Sequence, residues 1–108
     1  MARGNGRSRS QEVATQFGRN LVRCRRRAGL SQEELGIRAS LHRTAIGMLE
    51  QGERLPRIDT LLKLAGAMSI PPSELLEGID WTTPGESVEG RFSISDRPLP
   101  RRRRGDGC

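Results

Sequence analysis

Apolar residues recur at helical spacing through the middle of this chain. Val13, Phe17, Leu21, Cys24 and Ala28 stand three or four positions apart, which places them on one face of a helix expected over Glu12–Ala28. Arg19, Arg23, Arg26 and Arg27 occupy the remaining faces. Gly29 follows as a terminator, because a glycine just past a helix end takes a left-handed conformation at little cost. Ser31-Gln32-Glu33-Glu34 then reads as a capping box: the Ser31 hydroxyl accepts from the Glu34 amide, and the Glu34 carboxylate accepts from the Ser31 amide. The second helix it opens turns Leu35 and Ala39 inward with Gly36 between them. After a break at Ser40-Leu41-His42, a third helix is expected over about Arg43–Gln51, closed by Gly52, with Ile46 and Leu49 inward. The fourth, about Ile58–Met68, is the most apolar, through Ile58, Leu61, Leu62, Leu64, Ala65 and Met68. Pro71-Pro72 starts a short fifth helix, since the first amides of a helix need no internal partner. Leu75 and Leu76 are expected to pack it on the core.

The flanks lack this pattern. Residues 1–11 hold no apolar residue beyond Met1 and Ala2 and are expected to form a disordered basic arm. Residues 79–108 are rich in proline, glycine and arginine, and a largely disordered tail is expected, with one short strand near 88–94. The folded unit is therefore expected to be an all-α, five-helix bundle over 12–78.

Composition narrows the partner. With 33% hydrophobic residues and Phe17, Trp81 and Phe92 as the only aromatics, the chain supports one small core. Its net charge of +6 favours a polyanion, either nucleic acid or an anionic membrane surface. No apolar run approaches the ~20 residues of a bilayer span. The basic N-terminus is not followed by the apolar stretch of a signal peptide. Cys24 and Cys108 make a poor disulfide framework and fit a reducing compartment, so a cytoplasmic location is expected, nucleoid-associated when DNA is bound.

The second and third helices carry the functional signal. A helix that projects into a groove about 12 Å wide needs a second helix bracing it across the phosphates. The bracing helix needs a small residue at the crossing, here Gly36, and the break needs an apolar plug, here Leu41. The projecting helix needs inward apolar residues, here Ile46 and Leu49. These requirements are met in order within 32–51. Leu30-Ser31-Gln32-Glu33-Glu34-Leu35, Ile46-Gly47-Met48-Leu49-Glu50-Gln51-Gly52 and Leu61-Leu62-Lys63-Leu64-Ala65 together resemble the Cro/cI-type, or xenobiotic-response-element type, helix-turn-helix family. The resemblance covers about 12–78.

That resemblance implies a compact lambda-repressor-like bundle and a sequence-specific transcriptional regulator, usually a repressor, binding double-stranded DNA as a homodimer on a palindromic operator. Arg43, Thr44 and Met48 then fall among base contacts. Gln32, His42, Gln51 and Arg54 fall among backbone contacts. Arg25 and Glu50 match an ion pair tying the first helix to the recognition helix. An arginine can pair bidentately with guanine, and a threonine methyl can meet a thymine methyl. The sequence departs from the pattern at Ser40, where glycine is usual, at Gly47 within the recognition helix, and at Met48 in place of a polar reader.

Other chemistries find less. His42 is the only histidine and has no acidic or thiol neighbours at ligand spacing, so no metal is expected, and no cofactor. Glu33 and Glu34 are accounted for by capping, and no nucleophile or phosphate loop accompanies them, so the chain is not read as an enzyme. The alternative function is an antitoxin whose 79–108 segment, with Trp81, Phe92 and Ile94, folds onto a protein partner. A restriction-modification controller is a further possibility among regulators. The run Arg101–Arg104 has three readings: sequence-blind affinity for DNA, an RNA or acidic-protein site, or a solubilising tail.

Overall fold

The apolar stripe of the first helix sets the frame on which everything else packs. In a computed structural model, which describes residues 4–85 and 90–95 with side chains from Ser10 onward, this helix is α1 (Gly4–Arg27). It is followed by α2 (Gln32–Ala39), α3 (Arg43–Glu50), α4 (Ile58–Met68) and the single turn α5 (Pro72–Leu75). Phe17, Leu21 and Cys24 of α1 meet Leu35 and Ala39 of α2, Ile46 and Leu49 of α3, Leu64, Ala65 and Met68 of α4, and Leu75 of α5 in one core. The expected mainly α-helical fold with five helices is what the chain adopts. The residue run Arg101–Arg104 lies outside the described residues.

Local signals explain where the elements start and stop. The Ser31–Glu34 capping box forms in both directions, at 3.0 Å from the Glu34 amide to the Ser31 hydroxyl and 2.8 Å from the Ser31 amide to the Glu34 carboxylate. Gly36 sits where a Cβ would come within 2.7 Å of the Leu41 carbonyl, so the crossing of α2 with the following turn needs glycine there. Ser40 takes φ 57°, the left-handed conformation expected to cost a residue with a side chain, and Ser69 does the same after α4.

Several expectations change. The backbone of α1 begins at Gly4, not Glu12, so part of the expected disordered arm is helical. No proline interrupts residues 4–27, and the helix runs on past its last core contact. Ala28 lies beyond the helix end and is exposed, whereas Gln16 and Asn20 are buried on the face that counts only apolar residues in sequence. Asn20 earns its place through bonds: its amide donates to the carbonyls of Leu75 and Glu77, each at 2.9 Å, and accepts from Gln16 at 3.1 Å. Leu76 is exposed rather than packed on the core, and Ile58 and Leu62 of the apolar α4 are exposed as well.

The segment after α5 also departs from the expectation of a mostly irregular tail. Ile79–Thr82 (β1) and Arg91–Ile94 (β2) pair antiparallel, with Ile79 opposite Ile94 and Trp81 opposite Phe92. One strand falls within the expected 88–94, and the other was not anticipated. All four apolar side chains share one face of the pleat. Ile79 packs against the core, while Trp81 and Phe92 form an edge-to-face pair with centroids 5.1 Å apart. Gly90 leaves room for the Trp81 ring, which a Cβ there would overlap.

Candidate nucleic-acid interface

The reading helix owes its direction to glycine as much as to apolar packing. A Cβ on Gly18 of α1 would lie 2.5 Å from the Glu50 carbonyl and 2.7 Å from that of Leu49, so α1 and the end of α3 touch backbone to side-chain-free backbone. Gly52, at φ 74°, turns the chain away against Thr15. With Ile46 and Leu49 buried beneath it, α3 presents Arg43 and Thr44, both exposed, then Gly47 and Met48, half-exposed, then Gln51, exposed. A Cβ on Gly47 would meet nothing within 4 Å, which marks the centre of this face as open space.

His42 caps the helix. Its Nδ1 accepts from the Thr44 amide at 3.2 Å, an arrangement that in the neutral ring leaves the hydrogen on Nε2, pointing away from the cap as a donor. Arg54, in the loop after α3, is exposed and lays its Nη2 3.3 Å from the Met48 sulfur. The loop arginine and the second turn of the reading helix are therefore neighbours, a juxtaposition that sequence alone does not supply.

Behind this face lies the anchoring network. Arg25 Nε donates to Glu50 Oε2 at 2.6 Å and Arg25 Nη2 to Glu50 Oε1 at 3.1 Å, a bidentate pair whose side chains are 12% and 6% exposed. Hydrogen bonding to Glu50 holds the Arg25 guanidinium above even its usual range, against the opposing effect of burial. Arg25 Nη1 also donates to the Leu30 carbonyl at 2.9 Å, locking the α1–α2 turn. Gln32, expected at a phosphate, is half-buried and donates to Glu50 Oε1 at 2.9 Å. One hydrogen of its amide is thus already committed to the network, at the first residue of α2, where helix amides remain unpaired. Two further α1 arginines, both exposed, also form ion pairs: Arg23 with Glu77 at 3.1 Å and Arg27 with Glu74 at 3.5 Å. Among the described residues no group of three or more His, Cys, Asp or Glu side chains could hold a metal ion. No described helix is long and apolar enough to cross a membrane.

A capped bracing helix, a glycine crossing and an exposed second helix all lie within the stretch that a family model matches. The helix-turn-helix family model HTH_3 matches residues 21–75, half of the chain. The chain belongs to the helix-turn-helix family of DNA-binding transcriptional regulators. This helix-turn-helix protein is 38% identical over 65 residues to the uncharacterized HTH-type transcriptional regulator y4dJ of Sinorhizobium fredii, covering 60% of this chain and 84% of that one. It is 36% identical over 70 residues to the control protein C.BamHI of Bacillus amyloliquefaciens, covering 64% and 83% respectively. Among solved structures, the restriction-modification controller protein C.AhdI from Aeromonas hydrophila is similar at 38% identity with a TM-score of 0.59, covering 60% of this chain and 94% of that one. The match begins within α1 and ends with α5, so the N-terminal part of α1 and the β-hairpin lie outside the residues it covers.

Proposed function

We propose that this regulator inserts α3 into the major groove and represses transcription as a homodimer on a palindromic operator in the cytoplasm. One observation carries the reading: the exposed first turn of α3, cationic and polar, is fixed to α1 and α2 through the half-buried Arg25–Glu50–Gln32 network. Arg43, Thr44 and Met48 face base edges. Gln32, His42, Gln51 and Arg54 reach the flanking phosphates. The N-terminus of α2 adds unpaired amides suited to a phosphate, and Gln32 holds its remaining amide hydrogen beside them. Because Gly47 leaves a gap in the middle of the face, discrimination concentrates on the first turn and on DNA shape.

The test is selection of bound duplexes from a randomised pool with the purified protein. A two-fold symmetric motif with half-sites about one helical turn, ~34 Å, apart is the expected result. Arg43→Ala should cost about 1–3 kcal/mol at one base position of that motif. An equal loss on every sequence would assign Arg43 to a phosphate and overturn its base-reading role. Within the regulator class, likeness to C.BamHI and C.AhdI favours a restriction-modification controller, which footprinting across the source genome would place beside a restriction gene. The antitoxin alternative finds no support in these relatives, and its argument weakens because 79–82 and 91–94 fold together in this chain.

A further inference from the structure

Exposed apolar side chains of the bundle gather on and just before α4, while α2 carries a further one, Ile37, at 73%. Ile58 is 72% exposed and Leu62 is 54% exposed, one turn apart on the same face, and Leu55 precedes them at 47%. Gly66 and Ser69 continue the stripe without bulk, since Gly66 is exposed with open space where a Cβ would stand. Apolar side chains on a solvent-facing helix stripe mark an interface. We propose that this face of α4 is the contact between two copies of the chain, a reading that rests on the homodimer proposed above and names the surface that forms it.

Three observations select a second copy as the occupant. The first is distance. Recognition helices in neighbouring half-sites lie ~34 Å apart, and the two shorter dimensions of the described chain are 35 and 22 Å, so two copies seated side by side on one face of the duplex meet. The second is position. The stripe is joined to α3 by the Gly52–Arg57 loop, whose Arg54 lies on Met48, so a contact at Leu55 and Ile58 directly sets the spacing of the two reading helices. The third is charge. Beside the stripe stand Asp59 and Lys63, one turn apart on one flank. A two-fold axis crossing α4 near Leu61 runs the two helices antiparallel and stacks Ile58 and Leu62 of one copy on those of the other. It also brings Asp59 opposite the second copy's Lys63, twice over. Among the described residues Asp59 pairs only with Arg57, at 3.4 Å, and Lys63 forms no ion pair. The flank is therefore complementary to itself, as a two-fold contact requires.

Three apolar side chains fall short of the roughly 800 Å² per partner that a stable interface buries. The free chain is accordingly a monomer in reversible exchange with a dimer, and the operator completes the pairing. The hairpin pair Trp81–Phe92 is the rival surface, with Trp81 as open as Leu62, but the hairpin follows α5 and no loop joins it directly to α3.

Sedimentation equilibrium of the full chain over a wide concentration range tests this without DNA. Wild type should show a monomer–dimer equilibrium, and Ile58→Glu and Leu62→Glu should each raise the dimer Kd tenfold or more. Both sites are exposed, so circular dichroism and thermal melting should match wild type. Asp59→Lys and Lys63→Asp should each weaken the dimer, and the double charge swap should restore it. The inference is overturned if both glutamate variants dimerise as wild type does, if Trp81→Glu alone dissociates the dimer, or if wild type stays monomeric and binds selected duplexes one copy at a time. Ile58→Glu should still bind an isolated half-site duplex and lose only its cooperativity on the two-fold motif. If wild type enriches no duplex at all, the DNA reading fails while sedimentation still decides the α4 contact.

Discussion

At the residue scale, two positions expose the cost of conformations their side chains resist. Ser40 and Ser69 both adopt φ 57° immediately after a helix, where glycine is free of the Cβ clash. Ser40→Gly should raise stability by about 1 kcal/mol, read from urea melts, without moving the reading helix. A loss of stability would mean that the added freedom of the unfolded chain outweighs the relieved clash. Cys24 offers a different probe. The thiol is buried, and burial raises its pKa above the ordinary value. The folded state therefore favours the neutral thiol, so this contribution to stability is constant at neutral pH and falls as pH rises through and beyond the ordinary thiol range, about 8.5. In a Cys108→Ser background, alkylation of Cys24 should follow opening of the core rather than the thiolate fraction. Rapid labelling at neutral pH under native conditions would contradict its burial.

At the element scale, the glycines of α1 and α3 look alike in sequence and do opposite things. Gly18 lies against the carbonyls of α3, so Gly18→Ala should cost about 1–3 kcal/mol by forcing the helices apart. Gly47 faces open space, so Gly47→Ala should stabilise α3 by about 1 kcal/mol while changing the shape offered to DNA. A Gly47→Ala variant that melts earlier would show that the reading face is more crowded than described. The Arg25–Glu50 pair joins three helices through Gln32 and the Leu30 carbonyl. Glu50→Ala leaves a mostly buried guanidinium without its partner and should cost about 3–5 kcal/mol, measured by chemical denaturation. Arg25→Met combined with Glu50→Leu should cost less than Glu50→Ala alone, because no charge is then stranded.

At the scale of the whole molecule, the helical bundle and the hairpin that follows it are separable by what holds them. Core packing closes through Leu75, and the hairpin adds chiefly Ile79 to it. A chain ending at Gly78 should fold and bind DNA, with stability lower by about 1–2 kcal/mol from the lost side-chain burial. Failure of that truncated chain to fold would make the hairpin part of the cooperative unit. Asn20 marks the junction, because its bonds to the Leu75 and Glu77 carbonyls tie the end of α5 to α1 where the hairpin departs.

Much of this architecture is written locally. Helical periodicity, the Ser31–Glu34 box, the glycines after α1 and α3 and the proline before α5 place all five helices. They do so because capping and period depend on residues within one or two turns. The segment 32–51 is recognisable for the same reason, and the Arg25–Glu50 pair follows from the resemblance over about 12–78. What needed the tertiary structure were pairings between distant residues. The backbone-close contact of Gly18 with α3, the burial of Asn20, the sharing of Gln32 with Glu50 and the approach of Arg54 to Met48 all depend on how helices cross. The hairpin joins residues separated by nine to fifteen positions through backbone bonds that leave only a weak alternation in sequence. The sequence also shows how apolar α4 is, but not which of its leucines and isoleucines face water. Only packing decided that Leu64 is enclosed while Ile58 and Leu62 remain open. Periodicity counts apolar positions, whereas burial depends on what the rest of the chain brings to cover them.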